Sequence, residues 1–386
     1  MEPIKLVSDT IDKKDINALV KWLSSDPTPQ LTKGPLTKQL EEKWSEYLGV
    51  ESTVYVNSGS SALLLMLSAL KHTGKLKNNK IVVPGLSWVT DVSSCTQLDL
   101  KPILCDCNLE NLSVDLIHLE KLFKIEKPAA FLLVHVLGLV PSMDKIVKLC
   151  KQYDVLLLED VCESMGSEYK HQKLGTFGAA SVFSLYYGHH LSTIEGGFIC
   201  TNQRGLASAM LMMRNHGWDR DLSPSEQLHL RHSNKIDNFN AQYAFYLPGF
   251  NLRATDLQAF LGLRQIDKLD TIKEKREYNF FQYSEHLVDN RLTLTTYGDD
   301  KISNFAYPFV HSNKDSIVKA LQDNNVEVRP LIAGSMAKQP FWTKYYQPVD
   351  LPNCNLIHEQ GFYLPNHQDL TVGDIQFICN IVNDNI

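Results

Sequence analysis

The sequence has no CxxC pair, no apolar run long enough to cross a bilayer, no excess of basic residues, and no lysine between Lys173 and Lys235. Most of these absences close a class of function. Without CxxC or a secretion signal, the eight scattered cysteines read as reduced, buried thiols, including the nearest pair, Cys105 and Cys107 in the strand-like LCDC. The most apolar stretch, AAFLLVHVLGLV at 129–140, is shorter than the roughly 20 residues a membrane helix needs, so no membrane partner is expected. A net charge of −6 argues against nucleic acid, whose phosphates require basic patches. The opening MEPIKLVSDTIDKKD is charged and polar, unlike a signal peptide, and a cytoplasmic location is expected. The lysine gap acquires its meaning only beside the residues that surround it.

What is present is an ordinary globular composition, 44% hydrophobic and 21% charged over 386 residues, longer than one compact core usually holds. From about residue 50 to 215, helical and strand patterns alternate. NSGSSALLLMLSALKH (57–72) and SMDKIVKLCKQY (142–153) are helical, while KIVVPG (80–85), KPILCD (101–106), AAFLLVHVLG (129–138) and DVLLLED (154–160) are short apolar strands. Continuous apolar strands between helices indicate a mainly parallel sheet covered on both faces. LQAFLGLRQIDKLDTIKEKREYNFFQYSEHL (257–287) predicts one helix of more than 30 residues linking to a small α/β unit that contains FAYPFV (305–310) and NNVEVRPL (324–331). The expected architecture is α/β: a three-layer αβα large domain over 1–250, and a linking helix with a small C-terminal domain over 251–386. The N-terminal segment is expected to pack on the small domain.

Three stretches concentrate chemistry. In NSGSSALLL, small residues open a helix, which suits either an anion held at the positive helix end or a plain serine cap. In LLLEDVCES, Asp160 ends an apolar strand, where ligands of parallel sheets bind; its cationic partner is either a protonated ring nitrogen or a structural Arg or Lys. In FSLYYGHHLSTIEGG (183–197), Ser184 closes a strand and His189 and His190 follow. Adjacent histidines on extended chain face opposite sides and no third ligand stands at useful spacing, so a metal site is not expected. His135, inside an apolar strand, reads as a core histidine.

The order of these stretches resembles the sugar aminotransferase family of fold-type-I pyridoxal phosphate (PLP) enzymes. The likeness runs from LTKGPLTKQLEEKWSEYLGV (31–50) through SGS (58–60), LEDVCESMGS (158–167), the histidine loop, RNHGWDR (214–220), LPGFNLRATDLQAFLGL (247–263) and VRPL (328–331) to LPNH (364–367). It implies that Gly59, Ser60 and Ser184 hold the cofactor phosphate, joined by Asn251 from a partner subunit, hence a homodimer. It further implies Asp160 at the pyridine nitrogen, Trp88 stacked on the ring, and Glu163, where most aminotransferases have Gln, near the ring hydroxyl.

The family's lysine is missing. Five residues after Ser184 and six before Glu195 both lead to His189, which has no primary amine with which to hold the cofactor. HHLSTIEGG resembles the signature of the family's 3-dehydratase branch. That likeness implies His189 as acid and base, with the pyridoxamine form (PMP) regenerated from L-glutamate and ammonia and 2-oxoglutarate released. The implied substrate is a nucleotide-linked 4-keto-6-deoxyhexose, with GDP-4-keto-6-deoxy-D-mannose expected. An iron–sulfur cluster is not expected, because no cysteine lies between Cys200 and Cys354. Arg220, Arg253 and Arg329 are candidates for the diphosphate, and His216 and His367 for sugar hydroxyls; each also suits a structural role. An aminotransferase and a non-catalytic binding protein remain the other readings of the chain.

Overall fold

The computed structural model describes residues 3–294 and 298–386. Seven strands form the central sheet: β1 Ser52–Val56, β2 Lys80–Pro84, β3 Lys101–Cys105, β4 Ala130–Val134, β5 Leu156–Asp160, β6 Ala180–Ser184 and β7 Gly197–Thr201. Their order is β1-β7-β6-β5-β4-β2-β3. Neighbours from β6 to β3 pair in parallel, and β7 is antiparallel to both β6 and β1. The period of two along each strand sends alternate side chains to opposite faces. Val54, Ile81, Val83, Ala130 and Leu132 enter one core, while Tyr55, Val82, Phe131 and Leu133 enter the other. In the second core Trp44 stacks on Phe198 at 5.0 Å and meets Phe183 edge-on at 5.2 Å. Burying each such ring stabilises the fold by about 1.5–3 kcal/mol.

The covering helices carry local start and stop signals. Pro35–Leu48 begins on Pro35 and ends at Gly49, whose φ of 83° completes the left-handed cap. Asp256–Gln265 opens with Thr255 and Gln258 bonding each other's backbone. The single linking helix expected over 257–287 is instead two, Asp256–Gln265 and Leu269–His286, joined by a tight turn at Ile266–Lys268. The break has a physical cause. Lys268 is tied to the carbonyl of Thr10 at 2.8 Å and to Asp15, and Arg264 bonds Asp15 at 2.8 Å. The first helix therefore stays on the large sheet's layer, against Pro35–Leu48, while the second runs to Val372–Asn383.

A smaller antiparallel sheet follows: β8 Tyr307–Val310, β9 Arg329–Pro330 and β10 Gly361–Leu364, in the order β8-β10-β9. Of the stretch NNVEVRPL (324–331), only Arg329–Pro330 joins this sheet. Val326 pairs instead with Ile4 of the N-terminal segment. Buried Asp106 accepts the N–H groups of Cys107, Asn353 and Cys354 at 3.0, 3.1 and 2.9 Å, which caps the helix Pro352–Gln360. Its closeness to the thiols of Cys107 and Cys354 thus has a structural reason. All eight cysteines are free. No helix among the described residues is long and apolar enough to cross a membrane.

Candidate active site

The carboxyl ends of β1, β2, β5 and β6 open onto one edge of the central sheet, where parallel sheets bind ligands. A cavity of about 300 Å³ lies there. Gly59, Ser60, Trp88, Asp160, Glu163, Ser184 and His189 all line it, and Arg329 and Tyr363 reach it from the small sheet. No lysine lines it among the described residues.

NSGSS forms a serine cap and also borders the cavity. Ser58 caps the helix Gly59–His72 by accepting the Ser61 N–H at 3.0 Å, and the next two residues face the cavity. Gly59 is required by its surroundings. A Cβ there would stand 2.8 Å from the Cβ of Ser184 and 3.3 Å from the Cys162 sulfur. Gly197 plays the same part from the other side, since a Cβ would fall 2.4 Å from the Ser58 carbonyl oxygen. The result is a helix N-terminus pressed against the Ser184 hydroxyl, a concave set of donors that suits an anion of phosphate size.

The loop after β6 is closed by the N–H of Leu185 donating to Gly196 and that of Thr193 to Leu185, both at 2.9 Å. Within it the two histidines part. His190 is fully buried and its Nε2 lies 2.9 Å from the Ser303 carbonyl, so it anchors the loop to the C-terminal half. His189 lines the cavity, with its ring 5.2 Å from that of Phe305 and its buried Nδ1 without a partner. Burial above all, and then the positive charge of Arg276, push His189 down to about 4 against the opposing bond to the Cys162 backbone. The imidazole is therefore neutral at physiological pH, a free base. Arg276 is itself fully buried and bonds carbonyls, those of Phe305 (2.9 Å) and Asn366 among them, and burial brings it to about 9.

Acid groups form the opposite wall. Asp160 accepts the Cys162 N–H at 2.8 Å and makes no ion pair with Arg or Lys among the described residues, so the structural-pair reading of this carboxylate is not what the fold contains. The group beside it is Asp91, which sequence reasoning missed. Burial, then the charge of Asp160, hold Asp91 well above the usual carboxylate range. Glu163 is raised to about 7, by burial above all, while its Oε2 accepts the Leu137 N–H at 3.1 Å. An uncompensated buried carboxylate, an orphaned imidazole nitrogen and a Gly-lined anion cradle fit a phosphate-bearing pyridinium such as PLP. Trp88, 53% exposed despite its size, offers the flat surface such a ring needs.

The remaining candidates lie elsewhere. His367 is nearly buried, with Nε2 3.2 Å from the Lys5 carbonyl, and lines a neighbouring cavity of about 780 Å³ that shares Arg329, Val7 and Tyr187 with the first. Four others gather on the surface beside the end of β1. Arg253 bonds Asn251 at 3.0 Å, Arg220 lies over the Trp218 ring at 3.9 Å, and His216 stands edge-on to Trp218 at 5.1 Å. None of these four lines the first cavity. His135 sits in the core, its Nε2 2.9 Å from Glu159. Tyr186, Tyr187, Phe305 and Tyr363 line the cavity without having been expected. For Asp91 one signal existed: it follows Trp88 by three residues, a helix-capping spacing that gives a structural reason for an acid and hides any other.

Sequence comparison matches residues 9–383 to the DegT/DnrJ/EryC1/StrS aminotransferase family. The GDP-4-keto-6-deoxy-D-mannose 3-dehydratase of Yersinia pseudotuberculosis is 31% identical over 388 residues, spanning 98% of this chain and 97% of that protein. Two solved structures share the fold at 28% identity. A GDP-4-keto-6-deoxymannose-3-dehydratase with a trapped PLP–glutamate geminal diamine has a TM-score of 0.88 and covers 98% of this chain and 100% of its own. The Escherichia coli GDP-4-keto-6-deoxy-D-mannose-3-dehydratase with bound hydrated PLP has a TM-score of 0.87, covering 98% and 99%. On both the pattern of its sequence and the length of the match, the chain belongs to the DegT/DnrJ/EryC1/StrS aminotransferase family.

Proposed function

We propose that the protein is a PLP-dependent 3-dehydratase that removes the C3 hydroxyl of a nucleotide-linked 4-keto-6-deoxyhexose, GDP-4-keto-6-deoxy-D-mannose. The observation that carries the reading is His189: a neutral imidazole lines a cofactor-shaped cavity that no lysine among the described residues enters. When bound, the cofactor in its PMP form supplies an amine for the sugar ketone and a conjugated ring that accepts an electron pair. Gly59, Ser60 and Ser184 hold its phosphate, Trp88 supports the ring face, Asp160 meets the ring nitrogen, and Glu163 stands by the ring hydroxyl. His189 takes a proton as a base and, once charged, returns it to the departing hydroxyl oxygen, which leaves as water. A lysine would hold the cofactor covalently and return protons to carbon; an imidazole does neither.

L-glutamate is the reductant. The overall change is keto sugar plus glutamate giving 3-deoxy sugar, 2-oxoglutarate and ammonia, and it balances without a further reactant. Residues 1–250 form the large cofactor-binding domain, and 251–386 hold the linking helices and the small C-terminal domain, from which Arg329 reaches the cavity. Two copies assemble so that Asn251 of each reaches the other's phosphate, with Arg220, Arg253, His216 and His367 toward the nucleotide sugar.

The test is to incubate the protein with PLP, L-glutamate and GDP-4-keto-6-deoxymannose, then to weigh the sugar and assay ammonia. A sugar one oxygen lighter, with ammonia formed, is the expected result. A sugar that gains nitrogen, with no ammonia, overturns dehydration in favour of transamination. An unchanged sugar across a panel of nucleotide keto sugars overturns catalysis altogether.

A further inference from the structure

Asp91 stands where the two halves of the ring site meet. It lies in the first turn of the helix Val89–Gln97, fully buried, and its Oδ2 accepts the backbone N–H of Trp88 at 3.1 Å. Its Oδ1 receives no N–H or O–H from any described residue, and the group it faces is the carboxyl of Asp160. Both carboxyls line the same cavity, and two buried carboxylates side by side repel unless one of them keeps a proton. Among the described residues, no Lys, Arg or His side chain makes an ion pair or hydrogen bond with either carboxyl. The neighbours that titrate are Glu163 and the thiols of Cys162 and Cys95, none of which brings positive charge.

We propose that Asp91 is a positioning residue that keeps its proton and donates it to Asp160, so that Asp160 alone meets the ring nitrogen as a carboxylate. The assignment rests on the reading of the cavity as a PLP site. One side chain then joins two functions. Through Oδ2 it fixes the backbone of Trp88, the ring's stacking surface, and through its proton it fixes the partner of the ring nitrogen. The charges also balance: one pyridinium meets one carboxylate, with the second acid neutral. Because the donated bond spreads the negative charge beside it, the ring nitrogen gives up its proton at a lower pH than it would next to an unassisted carboxylate.

The experiment uses the full-length protein loaded with PLP carrying ¹⁵N at the ring nitrogen, and follows the nitrogen resonance against pH. Asp91→Ala is expected to move that titration upward by roughly one pH unit. Asp91→Asn, which still donates to Asp160 and accepts from Trp88, is expected to restore the parent curve. If Asp91→Ala lowers Tm but leaves the nitrogen titration in place, Asp91 is a helix cap only and the proposal fails. It fails equally if Asp91→Asn shifts as far as Asp91→Ala. Should Asp91→Ala not fold, infrared spectroscopy of the cofactor-free Glu163→Gln protein decides the matter. A protonated-carboxyl stretch at pH 7.5 that Asp91→Asn removes supports the proposal, and a stretch that persists overturns it. A parent protein that binds no PLP at all overturns the cofactor reading itself, and this inference with it.

Discussion

The residues that the family resemblance marks out divide into two regions with opposite physical character. At the carboxyl edge of the central sheet, Asp160, Glu163 and His189 are buried in a cavity, and Glu163 and His189 depart from their usual acidities because of it. Beside the end of β1, Asn251, Arg253, Arg220 and His216 lie outside the cavity, bonded to one another or laid over aromatic rings, among exposed Tyr243 (70%) and Phe245 (57%). In the first region one chain by itself brings a buried imidazole, buried carboxyl groups and the start of a helix around one cavity. The second offers exposed donors and apolar surface, with Arg220 held by the Gln242 carbonyl and Arg253 by Asn251. Chemistry needs desolvation to tune proton affinities, whereas recognition of a charged ligand by another copy needs groups that remain accessible.

The sharpest way to break this comparison is to change the base. His189→Asn keeps a polar side chain of similar reach but cannot carry a proton, and dehydration is expected to fall by about 10²- to 10⁴-fold. His189→Lys should lose dehydration to the same extent and gain covalent attachment to PLP, visible as a mass increase after borohydride reduction. Ammonia release by His189→Asn at the parent rate would remove His189 from the mechanism. Mixing experiments then separate the regions. Asn251→Ala and His189→Asn are each expected to be inactive, yet dimers formed from an equal mixture should recover about a quarter of the parent activity, since half of them contain one intact composite site. No recovery after verified exchange of subunits would mean that Asn251 serves its own chain.

How much of this was legible beforehand follows the same division. Apolar strands such as LLLED announce themselves because a strand buried on both faces has no polar alternation to blur it, and Asp160 stands out against that background. His189 was found by applying the spacing of the resembled family from Ser184 and from Glu195, and the β6–β7 pairing of Ser184 with Gly197 bounds the loop that carries it. What could not be read were contacts between distant segments. Arg276 lies 87 positions from His189 and acts on it through burial and charge, and Phe305 packs on its ring from another unit. No spacing rule links them. The helix break at Ile266–Lys268 was hidden likewise, because apolar periodicity continues across it while Lys268 and Arg264 turn back to Asp15. Asp91 was concealed by having a local use.

The smallest effect is a stability difference that only the enclosed region should show. Glu163 binds its proton more tightly in the folded protein, at about 7 against a usual 4.5, so its stabilising share is complete below pH 4.5 and is lost as pH rises through 7. The shift corresponds to about 3 kcal/mol at most. His189 works in the opposite sense: its proton affinity is depressed to about 4 from 6.5, so its share is present above pH 6.5 and is lost as pH falls toward 4. Cofactor-free Glu163→Gln should therefore lose less stability than the parent between pH 5 and pH 8 in urea titrations, and His189→Asn should lose less between pH 6.5 and pH 5. Arg220→Ala, on the exposed side, should run parallel to the parent throughout, because its side chain is exposed and lies outside the cavity. If Glu163→Gln also runs parallel, water reaches Glu163 in the folded protein, and the contrast between a desolvated wall and a solvated surface fails at the residue where it should be largest.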